Sequence, residues 1–449
     1  MRVVAKQRLD EGVDRVLALY SQFEERLDGR DPSFLHRLRR DAIDRFSELG
    51  FPSTRHEEWR FTNIAPIARG DFEPPRGRPE NRISGPDLES IRINFFADSA
   101  ANLLVLVDGE YALGLSSMDA LPAAATAVGL ADALAATPEA LEPFLGRLAG
   151  FSDASFTALN SAFIADGAFI HVPRGIVVEE PIFVLNVSTS GSRPTLAHPR
   201  TLVVLEEHAQ ASVVEIYAGG GGGFTNAVTE VVVGDNAVCD HVKAHDESED
   251  AFHVATMQVR LGRSSSFRSH SITLGGGIVR NDVRAVLDGE GSECTLNGLY
   301  LASGQQLVDN HTYIDHASPH CNSHEVYHGI LGGHAAGVFN GKIMVRPDAQ
   351  KTDAKQTNRT LLLSPDAVID TKPQLEIFAD DVKCTHGATV GQLDDEAVFY
   401  IQTRGIEKAA AKNILTLAFA REIIDRININ SVQQRLQDRV FAWLSRVQG

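Results

Sequence analysis

Between residues 155 and 390 the chain is built of short β-branched apolar runs, with no helical stretch of twelve or more residues. PIFVLNVS, TLVVLEEH, SVVEIYA and EVVVGD are examples. A stretch of strands this long has to dispose of its open sheet edges by closing, sandwiching or stacking. A weak repeat bears on the choice. LVVLEEHAQASVVE, EVVVGDNAVCDHVK, QVRLGRSSSFRSHS, AVLDGEGSECTLNG, GILGGHAAGVFNG and LLLSPDAVIDTKP each read as strand, polar or glycine turn, small residue, strand. The small residues are Ala209, Ala237, Ser265, Ser292, Ala335 and Ala367, spaced by 28, 28, 27, 43 and 32. A strand-only period in the high twenties suits stacked β-coils, each rung burying its inner face on its neighbours. On that reading the interval of 43 is a rung with an insertion. The competing reading is a β-sandwich with evenly spaced hairpins. The coil is preferred because few two-residue hairpin signals of the Asn-Gly or Asp-Gly kind stand between these runs, Asp108-Gly109 and Asp288-Gly289 among them.

Helical periodicity flanks this stretch. Val13, Val16, Leu17, Tyr20 and Phe23 recur at helical spacing, and Phe34 to Leu49 ends at Gly50 with Pro52 beyond. A Pro- and Gly-rich connector, PPRGRPENRISGP, occupies 74–86. After Asp394 and Asp395, one helix is expected up to Gly405, another over 407–427 with Ile414, Leu415, Ala418, Phe419, Ile423 and Ile427 on one side, and a third burying Val432, Leu436, Val440, Trp443 and Val447. The expected division is 1–95 helical with a connector, 96–393 strands, and 394–449 helical.

Charge narrows the functions. The formal net charge is −17, which opposes general binding to nucleic acid or anionic membrane. The tail 396–449 runs the other way, with eight basic and five acidic residues. Arg404, Lys408, Lys412, Arg421, Arg426, Arg435 and Arg439 make it a candidate docking surface for an acidic partner. The four cysteines, 239, 294, 321 and 384, form no CxxC pair, and the N-terminus carries no apolar signal segment. A reduced, cytoplasmic protein without structural disulfides is expected.

Catalytic signatures are sparse. The five glycines 219–223 are not followed by Gly-Lys-Ser/Thr, so they read as a loop between strands and not as a phosphate cradle. Six of the 16 histidines (His311, His316, His320, His324, His328 and His334) lie close to Asp315 and Cys321. Imidazole and thiolate ligate iron and zinc, so one reading is a metal-dependent β-fold enzyme using this cluster; the other is polar residues on turns and outward faces. A β-helix carbohydrate lyase or hydrolase would need clustered carboxylates, and none stand out. Cys384 and His386 sit at i and i+2 in DDVKCTHGATVGQLDDE, which puts them on one side of a strand. A thiol beside an imidazole is expected to lose its proton more easily and to serve as a soft ligand or sulfur acceptor.

KCTHGATVGQLDDEAVFYIQTRGI (383–406) resembles the C-terminal signature of the SufB/SufD family of iron–sulfur cluster assembly scaffolds. RHEEWRFTNI (55–64), GGFTNAVTEVVV (222–233) and DNHTYIDHASPHCNSHEVYHGIL (309–331) agree with it in order along nearly the whole chain. Gly387 stands where the SufB-type motif has Glu, and with EEWRFT and only four cysteines this places the likeness on the SufD side of the family, the SufB paralogue being the alternative. The resemblance implies a right-handed parallel β-helix core between N-terminal and C-terminal helical domains. It implies a non-catalytic scaffold that pairs with SufB through the β-helices and binds the SufC ABC-type ATPase through its C-terminal helices. A transient iron–sulfur cluster would form at the SufB–SufD interface, with His386, and Cys384 beside it, at the matching position. Reduced flavin is implied for the complex and no cofactor for the isolated chain, which is expected to form a homodimer in the partner's absence.

Overall fold

The structure, a computed structural model, describes residues 2–27, 29, 31–95, 100–189 and 193–448. The expected boundary at 95/96 adjoins residues 96–99, which lie outside the described residues. Ten α-helices among them are α1 Arg2–Arg26, α2 Ser33–Leu49, α3 Ala65–Arg69, α4 Gly85–Phe95, α5 Leu130–Ala136, α6 Pro138–Leu141, α7 Ser155–Ala162, α8 Asp395–Gln402, α9 Lys408–Ile424 and α10 Asn430–Gln448. Between α7 and α8 the chain is a parallel β-solenoid of about eight turns.

Each turn contributes one strand to each of two sheets. Along the first sheet the stacked positions are Gln210, Val238, Ser266, Glu293, Asn322, Asp353 and Lys383, in unbroken parallel register. Along the second they are Phe224, Phe252, Ile278, Leu307, Ala336 and Val368. Ten-residue strands such as Gln210–Gly219, Phe224–Val233 and Val238–Glu247 are joined by four-residue corners. The corners leading into the first sheet share one device. His208, Asn236, Ser264, Gly291, His320 and Lys351 all have φ between 53° and 72°. Each donates its N–H to a carbonyl one turn further on, at Asp235, Arg263, Glu290, Pro319, Gln350 and Asp381. This left-handed corner replaces the hairpin turn, and the residue after it points inward into a tight column: Ala209, Ala237, Ser265, Ser292, Cys321 and Thr352, all buried.

That column corrects the expected insertion. Ser292 is followed in its own column by Cys321, whose Sγ lies 3.4 Å from Ser292 Oγ. Ala335 and Ala367 open strands of the second sheet, so the interval of 43 is one and a half ordinary turns. Both kinds of corner carry a small residue before the strand, and the pattern passed from one sheet to the other.

The inner face is apolar over much of its length, and it interlocks. Gly298 is the Cα partner of Tyr327, and Tyr300 is the partner of Gly329. A Cβ on Gly329 would lie 2.4 Å from the Tyr300 ring, and one on Gly298 would lie 2.1 Å from the Tyr327 ring. Gly329→Ala is therefore expected to cost about 1–3 kcal/mol through overpacking. A thermal midpoint unchanged from the native chain would contradict this.

The outer faces are covered unequally. Leu299, Leu301, Ile330, Val242, Ala244 and Ile272 on the first sheet pack against Ile423, Ile424, Leu436, Val440, Trp443 and Leu444 of α9 and α10. These helices therefore lie along the side of the stack. Ile414 is 46% exposed and Ala418 is exposed, while Ala411, Thr416 and Ala420 take the buried positions of α9. Around α2 and α5–α7, the early strands of the second sheet carry Phe169, Leu202, Val204 and Val232 into a separate core. Arg200 and Glu230, both wholly buried, join that face to the helical layer.

The beginning of the solenoid is closed by antiparallel strands, Glu110–Tyr111 and Ser117–Met118 on Asn102–Val107, and Thr126–Gly129 on Gly167–Val172. Among the described residues the other end has no such cap: Lys383–Gly391 pairs only with Asp353–Leu362, and Val368–Ile377 only with Ala336–Val345.

Candidate functional site

Strand Lys383–Gly391 is the last of the first sheet, and its free edge faces outward from the stack. Ala354 and Gln356 are the Cα partners of Cys384 and His386, so both residues continue columns that run inside the solenoid. Cys384 is half-buried against the inner core, and His386 is exposed. Around them the end presents Val368, Ile377, Phe378 and Val390, all 40–63% exposed. A row of unpaired strand groups with an apolar rim is a template for another chain. The Cys384 thiol departs from expectation: burial pushes its pKa up, and the Asp353 carboxylate adds to the rise. In the free chain it is the less reactive thiol form that is favoured.

Beneath His386 the column continues through Gln356 to Glu325 and Leu296. Gln356 Nε2 donates to Glu325 Oε2 at 2.7 Å. Space for that amide comes from Gly341, where a Cβ would lie 2.1 Å from Nε2. Glu325 Oε1 and Gln356 Oε1 have no protein partner. Burial pushes the Glu325 carboxyl up to about 7.

The six histidines of 311–334 are not brought together. His316 points inward and lies 2.9 Å from Ser323 Oγ. His320 occupies a left-handed corner, and His324 and His334 are exposed. The ring of His328 stacks on Phe419 at 4.3 Å, under α9. Cys321 is in the inner column, and Asp315 pairs on the outside with Arg346 at 2.7 Å. The shared-metal reading of this segment fails because corners and strand alternation send the side chains in different directions.

His311 belongs to a latch made with the N-terminal motif. Trp59 lies under the Arg280 guanidinium at 3.8 Å from its ring centroid. Arg280 donates to Glu58 O at 2.7 Å and Asp309 Oδ2 at 2.6 Å, and pairs with Asp282 at 2.9 Å. His311 bridges Asp309 at 3.0 Å and Glu58 at 3.2 Å. Burial would lower the imidazole pKa, but Asp309 beside it outweighs burial and holds it up, at about 9. RHEEWRFTNI and DNHTYIDH, two of the motifs that carried the resemblance, thus meet 247 residues apart through the Thr62–Asp309 contact.

The basic tail residues spread over several surfaces. Arg404, on the Tyr400 ring, and Lys408 are exposed, and Lys412 is half-buried, near exposed Phe399, Tyr400 and Ile414. Arg421 pairs with Asp425, and Arg426 donates to Asn297 Oδ1 at 3.2 Å. Arg439 is committed to Asp246.

Sequence reasoning missed a charged cluster inside the solenoid. Glu215, His241, His245, Glu247 and His253 are buried, and Lys243 among them is half-buried. The signal was present in VCDHVKAHDE, where His241, Lys243, His245 and Glu247 alternate along one strand face.

The comparisons agree with this architecture. Residues 186–419 match the family profile "SUF system FeS cluster assembly, SufBD core domain", and residues 12–184 match "SufBD protein N-terminal region". The chain is 33% identical over 423 residues to an iron-sulfur cluster assembly SufBD family protein of Synechocystis, covering 92% of each. It is 32% identical over 405 residues to the iron-sulfur cluster assembly protein SufD of Escherichia coli, covering 89% of this chain and 90% of that one. With SufD of Bacillus subtilis the identity is 26% over 419 residues, covering 91% and 93%. Two family profiles in tandem, and relatives matched nearly end to end, establish that the chain belongs to the SufBD family of SUF-system iron–sulfur cluster assembly proteins.

Proposed function

We propose that this chain is a SufD-type, non-catalytic scaffold subunit that pairs with SufB and binds the SufC ATPase. The unpaired edge strand Lys383–Gly391, carrying Cys384 and His386 at an apolar open end, is the observation that carries the reading. A SufB-type solenoid docked there would satisfy the strand edge and bury the apolar rim, and His386 and Cys384 would contribute to a cluster site completed by the partner. The nascent cluster is cargo, and reduced flavin is bound by the complex and not by this chain alone. Phe399, Tyr400 and Ile414, with Arg404, Lys408 and Lys412 around them, offer SufC an apolar patch with a basic rim; Arg421 and Arg426 lie further along the same helix and its end. The same open end would support a homodimer when SufB is absent. Among the described residues no helix is long and apolar enough to cross a membrane. The four free cysteines suit the cytoplasmic setting that belongs to this reading.

The test is co-expression of the tagged chain with SufB and SufC. Both partners are expected to co-purify. His386→Ala is expected to leave recovery of the complex unchanged and to lower cluster content and SUF-dependent growth at least tenfold, with Cys384→Ser having the smaller effect. Full cluster assembly by His386→Ala would remove the site from this reading.

A further inference from the structure

We propose that His245, Glu247 and His253 form a divalent transition-metal site inside the solenoid, separate from the open end. Glu247 Oε2 lies 2.8 Å from His245 Nε2 and 2.9 Å from His253 Nδ1. All three ligand atoms fall within 4.8 Å of one another, and the two rings are 4.5 Å apart. In a tetrahedral zinc site with bonds of about 2.0–2.1 Å, ligand atoms stand roughly 3.3 Å apart. The carboxylate oxygen therefore needs to draw back by only about half an ångström to admit an ion. The second shell is already assembled on the carboxylate: Thr225 Oγ1 donates to Glu247 Oε1 at 2.9 Å, and Ser188 Oγ donates to the same oxygen.

Proton and charge bookkeeping supports the assignment. Binding requires Nε2 of His245 to give up its hydrogen, and Nδ1 of that ring has no partner and can take it. Nδ1 of His253 must do the same, leaving hydrogen on Nε2, which faces Lys243 Nζ at 2.9 Å. Lys243 Nζ also donates to Asn281 Oδ1 at 2.7 Å, so the lysine has that acceptor to turn towards when His253 Nε2 carries hydrogen. The carboxylates of Glu215 and Glu247 share this interior with a single lysine, Lys243, so carboxylates outnumber lysines there. A divalent ion would bring positive charge to these carboxylates, which a low-dielectric interior favours.

A cavity lies next to the site, beyond the Ser188 hydroxyl. Ser188 is half-buried and lines a cavity of about 350 Å³ with Gly219, Gly220 and Asp246. The glycine run that is not a phosphate loop thus forms a side-chain-free corner next to the hydroxyl covering Glu247. A second glycine corner follows the same logic. Gly276 has φ of 85°, and a Cβ there would lie 2.9 Å from His245 Cε1.

The experiment uses the full chain, tag removed and stripped by chelator, titrated with Co²⁺ alone. One equivalent is expected to bind with the intense visible bands of a tetrahedral nitrogen–oxygen site and no thiolate charge-transfer band. Zn²⁺ should displace the Co²⁺ and raise the thermal midpoint. His253→Asn and Glu247→Gln should each weaken Co²⁺ binding at least tenfold, and a Cys384→Ser/His386→Ala double variant should leave it unchanged. If the single variants fail to fold, the native chain's spectrum and the double variant's retention of it decide the matter. Absence of stoichiometric Co²⁺ in the native chain, binding unchanged in folded His253→Asn, or loss of binding in the double variant would each overturn the proposal, the first two leaving an internal hydrogen-bond network only.

Discussion

Arg200→Met is expected to destabilise the protein by about 3–5 kcal/mol, because it strands a wholly buried carboxylate. Arg200 Nη2 and Nε meet Glu230 Oε2 at 2.6 and 3.1 Å, with both side chains fully buried. Glu230 in turn accepts the backbone N–H groups of Gly146, Leu148 and Ala149 at 2.8–2.9 Å. Arg200 Nη1 also donates to Asn160 Oδ1 of α7 at 3.0 Å. The pair is thus a rivet between the solenoid and the helical layer. Many buried ion pairs can be exchanged for apolar residues at little cost. Here the double variant Arg200→Met/Glu230→Leu should recover nothing, since it orphans three backbone donors at roughly 1–3 kcal/mol each. Urea denaturation of both variants measures this. A loss under about 1 kcal/mol in the single variant, or a double variant as stable as the native chain, would contradict the rivet.

Glu325→Gln is expected to stabilise the protein at pH 8 and to do little near pH 4.5. Burial raises the Glu325 carboxyl from 4.5 to about 7, so the folded chain holds this proton more tightly than the unfolded chain does. The neutral acid costs nothing extra below 4.5; the penalty grows as pH rises towards 7 and is complete above it. A shift of this size corresponds to a penalty on the order of 3 kcal/mol. Glutamine keeps an acceptor for Gln356 Nε2 and is neutral at every pH, so its advantage should appear over that window. Equal stability of the two proteins at pH 8 would sink the argument. The retention of an ionisable group at such a cost, two turns beneath His386, is consistent with a role for the column in supporting the open end.

The strands and their period were readable because two elementary regularities coincide: side chains alternate along a strand, and every corner into the first sheet needs a small inward residue. Ala209, Ala237, Ser265 and Ser292 declare that column in letters. Cys321 and Thr352 continue it without looking small enough, which is why the pattern slid onto Ala335. That Cys384 and His386 share one face of a strand was readable for the same reason of alternation. The histidines of 311–334 misled because proximity in sequence means little where the chain reverses face at each residue and changes sheet every fourteen or so. The charged interior was passed over because inward strand positions are assumed apolar, although alternating His241, Lys243, His245 and Glu247 spelled it out. The position of α9 and α10 was also written in the strands: Leu299, Leu301 and Ile330 point outward and are apolar, and a sheet apolar on both faces needs cover on both.

The corner ladder makes nearly every contact in the solenoid a contact between residues about thirty positions apart, and this sets an order of events during synthesis. A strand can pair as soon as the next turn has left the ribosome, so the column can wind from its capped beginning while translation continues. Its growing tip always has a free edge, and each new strand covers the last. Lys383–Gly391 is the strand for which the described residues supply no successor. The helices that shield the outer face of the first sheet are made last of all, after the strands they cover have already stacked. Until α9 and α10 emerge, Leu299, Leu301 and Ile330 stand in water on a finished sheet. Premature termination before residue 408 would therefore yield a wound but sticky column, a substrate for chaperones rather than for a partner subunit.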